Sequence, residues 1–185
     1  MFIQTEGTPN PQVMKFLPGQ VVNAGGAREF VSREEAEGVC PLAEKLLDIE
    51  GLVSIFLGSD FISVTKAGAK DWLLLKPAIL GAIMEQFTSG QPMFLDQVDA
   101  VGDDASEDDD EIVVQIKALL DERVRPAVAK DGGDIVFQSF QGGVLFLEMR
   151  GACSGCPSAG ATLKMGIENM MKHYIPEVVE VRQAL

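Results

Sequence analysis

An acidic segment divides this chain and limits the size of the units into which it can fold. Residues 96–111, DQVDAVGDDASEDDDE, contain nine acidic residues, no basic residue and only two large apolar ones. Such a segment cannot bury enough apolar surface to offset the entropy lost on ordering, so we predict a flexible tether there. A structureless loop of this length is uncommon inside one compact domain. The sequence therefore predicts two small domains, residues 1–95 and residues 112–185.

The composition of the rest of the chain excludes several classes of protein. Of the 185 residues, 46% are apolar, and most of the formal net charge of −13 lies in the tether. The sequence contains no basic patch that would indicate nucleic-acid binding. It contains no apolar run of the roughly 18 residues needed for a membrane span, and no signal-peptide pattern precedes the first predicted strand. Three cysteines are too few for a disulfide framework. We expect a reducing compartment, either the bacterial cytoplasm or, for a processed chain, the mitochondrial matrix.

The first domain has an α+β pattern. Apolar residues at 13–17, 21–22 and 30–31 predict short strands. Ser32 and Glu35 form an S-x-x-E capping box that opens a helix. The chain thus begins with strands and turns into a helix before residue 40.

The second half of this domain continues the same alternation. Pro41 restarts a helix, residues 52–64 predict a hairpin that turns at 58–60, and Asp71 precedes a last helix with Ile79, Ile83 and Phe87 on one face. Cys40 lies beside a proline within an apolar pattern. We predict that it is a buried small hydrophobe and not a ligand.

The second domain is also α+β, in the order helix, hairpin, cysteine loop, helix, strand. A helical stripe begins at Ile112 and is perturbed at Pro126, and Gly142 and Gly143 form the turn of a hairpin. Asp131-Gly132-Gly133-Asp134 reads as a helix-to-strand turn, although these residues can also shape the neighbouring loop. Ser158 can cap the following helix, whose leucine, isoleucine and methionine stripe predicts core packing. Pro176 ends it before a strand at residues 178–181.

The candidate site is the pair Cys153 and Cys156 in the loop GACSGCP. Two thiolates at this spacing can chelate one metal centre, and sulfur ligands select zinc, Cu(I) or iron-sulfur clusters. The predicted helix start beyond the loop favours an anionic ligand such as a four-thiolate [4Fe-4S] core. One domain supplies only two of those ligands. Two-fold pairing of two loops around one shared cluster is the simplest closed arrangement.

Almost the whole chain outside the tether resembles the Nfu family of iron-sulfur cluster carriers. Residues 124–180, with VRPAVAKDGGDIVF, GACSGCPSA, TLKMGIEN and HYIPEV, are similar to the NifU-type C-terminal domain. FIQTEGTPNPQVMKFLPG, SIFLGSDFISVTK and LKPAI resemble the family's N-terminal module. The resemblance implies a homodimer that holds a transient [4Fe-4S] cluster between Cys153 and Cys156 of two protomers. It also implies no enzymatic turnover, an upstream assembly scaffold as donor and apo iron-sulfur proteins as acceptors.

Three alternative functions remain beside this one. A thiol-disulfide oxidoreductase also uses C-x-x-C at a helix start, but no aromatic residue precedes Cys153 and the domain lacks the strands of that fold. A zinc ion bridging two protomers has suitable ligands, with His173 as a third, although a predicted helix separates His173 from Cys156. An interaction module with inert thiols leaves the two-cysteine turn unexplained.

Overall fold

The computed structural model describes residues 2–68, 70–95, 110–155 and 159–184, and it confirms two α+β domains. Residues 96–109 of the predicted tether lie outside the described residues. Glu111, the last residue of the predicted tether, is the first residue of a helix. An acidic residue in a first helical turn is favoured by the helix dipole, so its charge does not mark it as part of the tether.

The first domain folds as a five-stranded antiparallel sheet covered by helices on one face. The strand order is β1-β2-β5-β4-β3. Its elements in chain order are β1 (Gln4–Gly7), β2 (Val13–Leu17), β3 (Arg28–Phe30), α1 (Arg33–Ala36), α2 (Pro41–Leu47), β4 (Leu52–Leu57), β5 (Ile62–Lys66) and α3 (Trp72–Ser89).

Local sequence signals produce the predicted helix starts. The Ser32 hydroxyl accepts from the Glu35 N–H at 3.3 Å, and the Glu35 carboxylate accepts from the Val31 N–H at 3.0 Å. Asp71 caps α3 by accepting from the Leu73 N–H at 3.0 Å. These bonds satisfy N–H groups that have no partner within the helix.

Two expectations for the first domain need correction. Residues 21–22 do not form a strand, because the N–H of Val22 bonds to Ser59 O in the tip of the β4–β5 hairpin. Strand β1 was not predicted, because its residues, QTEG, are polar. It lies at the edge of the sheet and pairs with β2. Both errors arise from taking apolar content as the signal for strands.

The second domain packs two helices on a three-stranded sheet of order β6-β7-β8. Its first helix is α4 (Glu111–Leu119) and continues through a π-helical turn (Leu120–Val124) into α5 (Arg125–Lys130). The turn lies next to Pro126, which cannot donate a helical hydrogen bond. The remaining elements are β6 (Gly133–Gln141), β7 (Val144–Gly151), α6 (Ala159–Tyr174) and β8 (Glu180–Gln183).

The predicted hairpin and helical stripe of this domain are confirmed. Gly142 and Gly143 join β6 to β7 with φ angles of 58° and 82°, the positive pair that a type I′ turn requires. Ile167 and Met171 of α6 are buried in the second core. The predicted last strand begins later than expected, at Glu180, and runs parallel to β7. Ser158, the predicted cap, lies outside the described residues.

Each domain has its own apolar core, and the first sheet has two chemically different faces. We call the face that packs on α2 and α3 the inner face; it includes Met14, Phe16, Ile55, Leu57, Ile62 and Val64. The opposite face, which we call the outer face, carries a cross-strand row of Lys15, Ser63, Phe56 and Glu29. The second domain lies against this outer face, since Ser63 bonds to Gly132 O at 2.7 Å.

Candidate functional site

The cysteine loop begins where strand β7 ends. Strands β6 and β7 pair from the Gly142-Gly143 turn to Gly133 and Gly151, and the chain then turns through residues 152–155. The Ala152 N–H donates to Gly132 O at 3.1 Å, and the Ser154 N–H donates to Gly151 O at 3.1 Å. The open end of the hairpin therefore holds the loop. Cys153 lies on this turn, whereas Cys156 lies outside the described residues.

Close packing of glycines sets the position of Cys153. A Cβ atom on Gly133 would lie 2.5 Å from the Cys153 Sγ and 2.9 Å from its backbone nitrogen. Gly151 has φ of 59°, and a Cβ there would lie 2.7 Å from Gly132 O. Only glycine fits at both places without moving the backbone. The sequence suggested that the Asp131–Asp134 segment could shape the loop, and the structure brings Gly133 into contact with the thiol.

The buried carboxylate of Asp134 fixes helix α5 against the same end of the hairpin. Asp134 is 5% exposed, and both its oxygens accept from Arg125, at 2.9 Å and 3.0 Å. Asp121 accepts a further bond from Arg125 at 2.8 Å. The Asp134 hydrogen bonds raise the pKa of Arg125, so this guanidinium stays charged. A bidentate pair of this kind fixes direction as well as distance.

The first domain contacts the cysteine loop directly, which the sequence did not reveal. The Asn10 amide donates to Ala152 O at 3.4 Å and to Ser154 O at 3.2 Å. Glu29 accepts from the Gly151 N–H at 3.3 Å and from the Ser54 hydroxyl at 2.6 Å. Burial raises the pKa of Glu29, and the Ser54 and Gly151 bonds oppose that rise. Cys153 itself is only 7% exposed.

The remaining candidate residues lie apart from this loop. Cys40 is fully buried in the first core, as predicted, and burial raises the pKa of its thiol. His173 lies exposed in the last turn of α6, edge-on to Tyr174 at 4.9 Å between ring centroids. The described residues include no group of three or more histidine, cysteine, aspartate or glutamate side chains placed to hold a metal ion. Within the same residues, no helix has the length and apolar content needed to cross a membrane.

Comparison with known proteins gives a family for both halves of the chain. The NifU-like domain model matches residues 116–182, and the model for the N-terminal region of the scaffold protein Nfu/NifU matches residues 3–90. NifU-like protein 4, mitochondrial, of Arabidopsis thaliana is 50% identical over 187 residues, which are 99% of this chain and 66% of that protein.

Two insect proteins give the same result. The NFU1 iron-sulfur cluster scaffold homolog, mitochondrial, of Drosophila ananassae is 47% identical over 99% of this chain and 64% of its own length. The Drosophila willistoni protein of the same name is 49% identical over 99% and 63%. The chain thus spans just under two thirds of the length of these relatives. With both family regions present in order and about half of all residues identical to these relatives, the chain belongs to the Nfu family of NifU-like scaffold proteins.

Proposed function

We propose that this protein carries a [4Fe-4S] cluster between Cys153 and Cys156 of two protomers and delivers it to apo-proteins. The observation that carries the proposal is the position of the cysteine loop at the end of the β6–β7 hairpin, in a chain of the Nfu family. The relatives named as iron-sulfur cluster scaffold homologs support the same cargo.

The ligand set supports an iron-sulfur cluster as cargo. Thiolates are the usual ligands of such clusters, and four are needed for a [4Fe-4S] core. The second domain has only two cysteines in its sequence, so a second protomer supplies the other two. Helix α6 begins at Ala159, three residues after Cys156, and its N-terminal end favours the negative charge of a thiolate-ligated cluster.

Delivery requires a cluster that is held but can leave. With two ligands from each protomer, an acceptor thiolate can replace one protein thiolate at a time, as thiols do in exchange reactions. The protein holds and passes on a cargo and converts no substrate, so we assign it no catalytic residues. Its partners are an upstream assembly scaffold as donor and apo iron-sulfur proteins as acceptors.

The first domain has a separate role in this proposal. It recognises acceptor proteins, and the predicted acidic tether keeps the cluster domain near the acceptor, at an effective concentration of about a millimolar. The compartment is a reducing one, the mitochondrial matrix or the bacterial cytoplasm. The relatives with mitochondrial names favour the former.

Anaerobic reconstitution with iron and sulfide tests the site. We expect Cys153→Ser and Cys156→Ser to abolish cluster binding, because each removes two of four ligands from the dimer. Cys40→Ser is the matched control and keeps the cluster, since Cys40 lies in the first core. The measurements are iron and sulfide content and the cluster absorption spectrum. Iron lost from the Cys40 variant and kept by the Cys153 variant would overturn the assignment.

Two further results of that experiment separate the alternatives. Sedimentation of the loaded wild-type protein should give a dimer, with an iron and sulfide content of one four-iron cluster per two chains. A loaded monomer with no added thiol would contradict the sharing of the cluster. Zinc without sulfide would favour the zinc-bridged module. A dithiol that turns over disulfides would favour the oxidoreductase.

A further inference from the structure

Polar side chains of the first domain form hydrogen bonds with main-chain atoms of the second domain. Lys15 is 7% exposed and its Nζ donates to Ala129 O at 3.0 Å and to Lys130 O at 3.1 Å. These carbonyls belong to the last turn of α5, where the helix dipole favours a positive charge. Ser63 is fully buried and donates to Gly132 O at 2.7 Å. The large majority of buried polar groups in proteins have hydrogen-bond partners, and these two have theirs in the second domain.

The same face continues to the cysteine loop. Asn10 is 2% exposed, and its amide bonds to the carbonyls of Ala152 and Ser154, one on each side of Cys153. Glu29, at the other end of the outer face, accepts from the Gly151 N–H. Residues 151–154 are therefore fixed at three main-chain positions by the first domain while the Cys153 side chain is 7% exposed.

We propose that the outer face, together with Asn10, is a docking surface for the cysteine loop of the same chain, and that docking competes with pairing of two loops around one cluster. The competition rests on the proposed function above, whereas the docking does not. Two loops that share a cluster must present their thiols to each other. In the docked loop, hydrogen bonds from the first domain hold the main chain on both sides of Cys153. The thiol itself packs beside Gly133 in the second core, so it becomes accessible only when that main chain moves. A ligand that binds only the open form shifts the population toward it.

The second domain of the same chain is the favoured occupant of this surface. Only 14 residues separate Leu95 from Asp110 in the sequence, so the two domains of one chain are always close. A short connection gives an effective concentration of about a millimolar, above that of a second copy at ordinary concentrations. An acceptor that binds the first domain on its outer face would compete with docking and keep the loop in the open form that shares the cluster.

Site-resolved alkylation of the full-length apo-protein tests the docking. The variant is Lys15→Met with Ser63→Ala, because the hydrogen bonds described for these side chains go to the second domain. The control is Lys45→Met with Ser59→Ala, since both side chains are exposed and pair within the first domain. We expect iodoacetamide to modify Cys153 about tenfold faster in the variant and at the wild-type rate in the control.

Cys40 serves as an internal standard in the same peptide map. It is fully buried in the first core and its thiol pKa is raised, so its modification stays slow as long as that domain is folded. Equal Cys153 rates in the wild type, the variant and the control, with Cys40 protected in all three, would overturn the docking. A wild-type rate that rises on dilution would overturn the intramolecular form and assign the surface to a second copy.

Limiting anaerobic reconstitution of the same three proteins tests the competition. We expect the docking variant to form cluster-loaded dimer at a severalfold lower iron and sulfide concentration than the wild type or the control. Faster alkylation with equal dimer formation would overturn the competition. Absence of a cluster in all three proteins would overturn the proposed function, and the alkylation rates would still decide the docking.

Discussion

Both faces of the first sheet are covered, but by different kinds of contact. The inner face is closed by apolar side chains from helices that are close in sequence. The outer face is closed by the second domain: Lys15 and Ser63 donate hydrogen bonds to its main-chain carbonyls, and Glu29 accepts one from the Gly151 N–H. Phe56 is buried on the same face, beside Gly151. Burying one large apolar side chain stabilises the folded state by about 1.5–3 kcal/mol. A hydrogen bond gives a net stabilisation of only about 1 kcal/mol, because water can replace its partner. The inner face therefore maintains the fold, and the outer face, whose buried Phe56 belongs to neither core, opens more readily.

Removing a large inner-face side chain has the largest expected effect. Phe16 is fully buried among the strands and helices of the first core. Phe16→Ala should lower the free energy of unfolding by about 3–5 kcal/mol, since it loses apolar burial and leaves a cavity. Urea unfolding followed by circular dichroism measures the loss. Phe2→Ala is the control: Phe2 is 85% exposed, and its removal should change stability by less than about 0.5 kcal/mol. Similar losses in the two variants would contradict the assignment of the inner face.

The inner face could be predicted from the sequence, whereas the burial of the outer face could not. Ile62, Ser63 and Val64 alternate between apolar and polar side chains, as expected for a strand with one face in water. Ser63 is nevertheless fully buried. The alternation of apolar and polar residues shows only which side chains are polar. A polar residue that bonds to another domain gives the same alternation as one that bonds to water.

The glycines of the second domain test whether the outer face depends on close fit. Gly132 has φ of 82°, and a Cβ there would lie 2.7 Å from the Ser63 Oγ. Gly132→Ala should cost about 1–2 kcal/mol from backbone strain and about 1 kcal/mol more from crowding of Ser63. Gly142→Ala is the matched control, because its φ of 58° is also positive and a Cβ there would meet no atom within 4 Å. Urea unfolding gives both values.

A double-mutant cycle isolates the contact between the domains. In a Ser63→Ala background the crowding is relieved, so Gly132→Ala should cost no more than Gly142→Ala. The coupling between positions 63 and 132 should be about 1 kcal/mol. If the two glycine variants differ by the same amount with and without the serine hydroxyl, the close fit lies elsewhere.

The site itself was only partly predictable. The turn at Gly142-Gly143 follows from local chemistry, because two successive residues with positive φ select glycine. The contact of Gly133 with the Cys153 thiol depends on strand pairing that brings residues 20 positions apart together. Asn10 lies more than 140 residues before the loop that it contacts. Distances of that kind are set by tertiary structure, and a single sequence has no pattern that encodes them.

The smallest effect is a pH dependence carried by the outer face. Burial raises the pKa of Glu29 above its usual 4.5, while Ser54, Gly151 and Arg150 act to lower it and Glu148 raises it further. A carboxyl with a raised pKa in the folded state binds its proton more readily there, so its contribution to stability falls as pH rises from about 4.5 to the raised value.

Glu29→Gln should abolish this pH dependence of stability, because an amide oxygen still accepts the same bonds but does not titrate. Urea unfolding from about pH 3 to pH 7, read as the wild type minus the variant, measures it. Glu50→Gln is a control of opposite sign, because the Lys70 hydrogen bond lowers the pKa of Glu50 and its contribution is lost as pH falls. A Glu29 difference that is flat, or that has the sign of the Glu50 difference, would show that this end of the outer face is solvated and not docked.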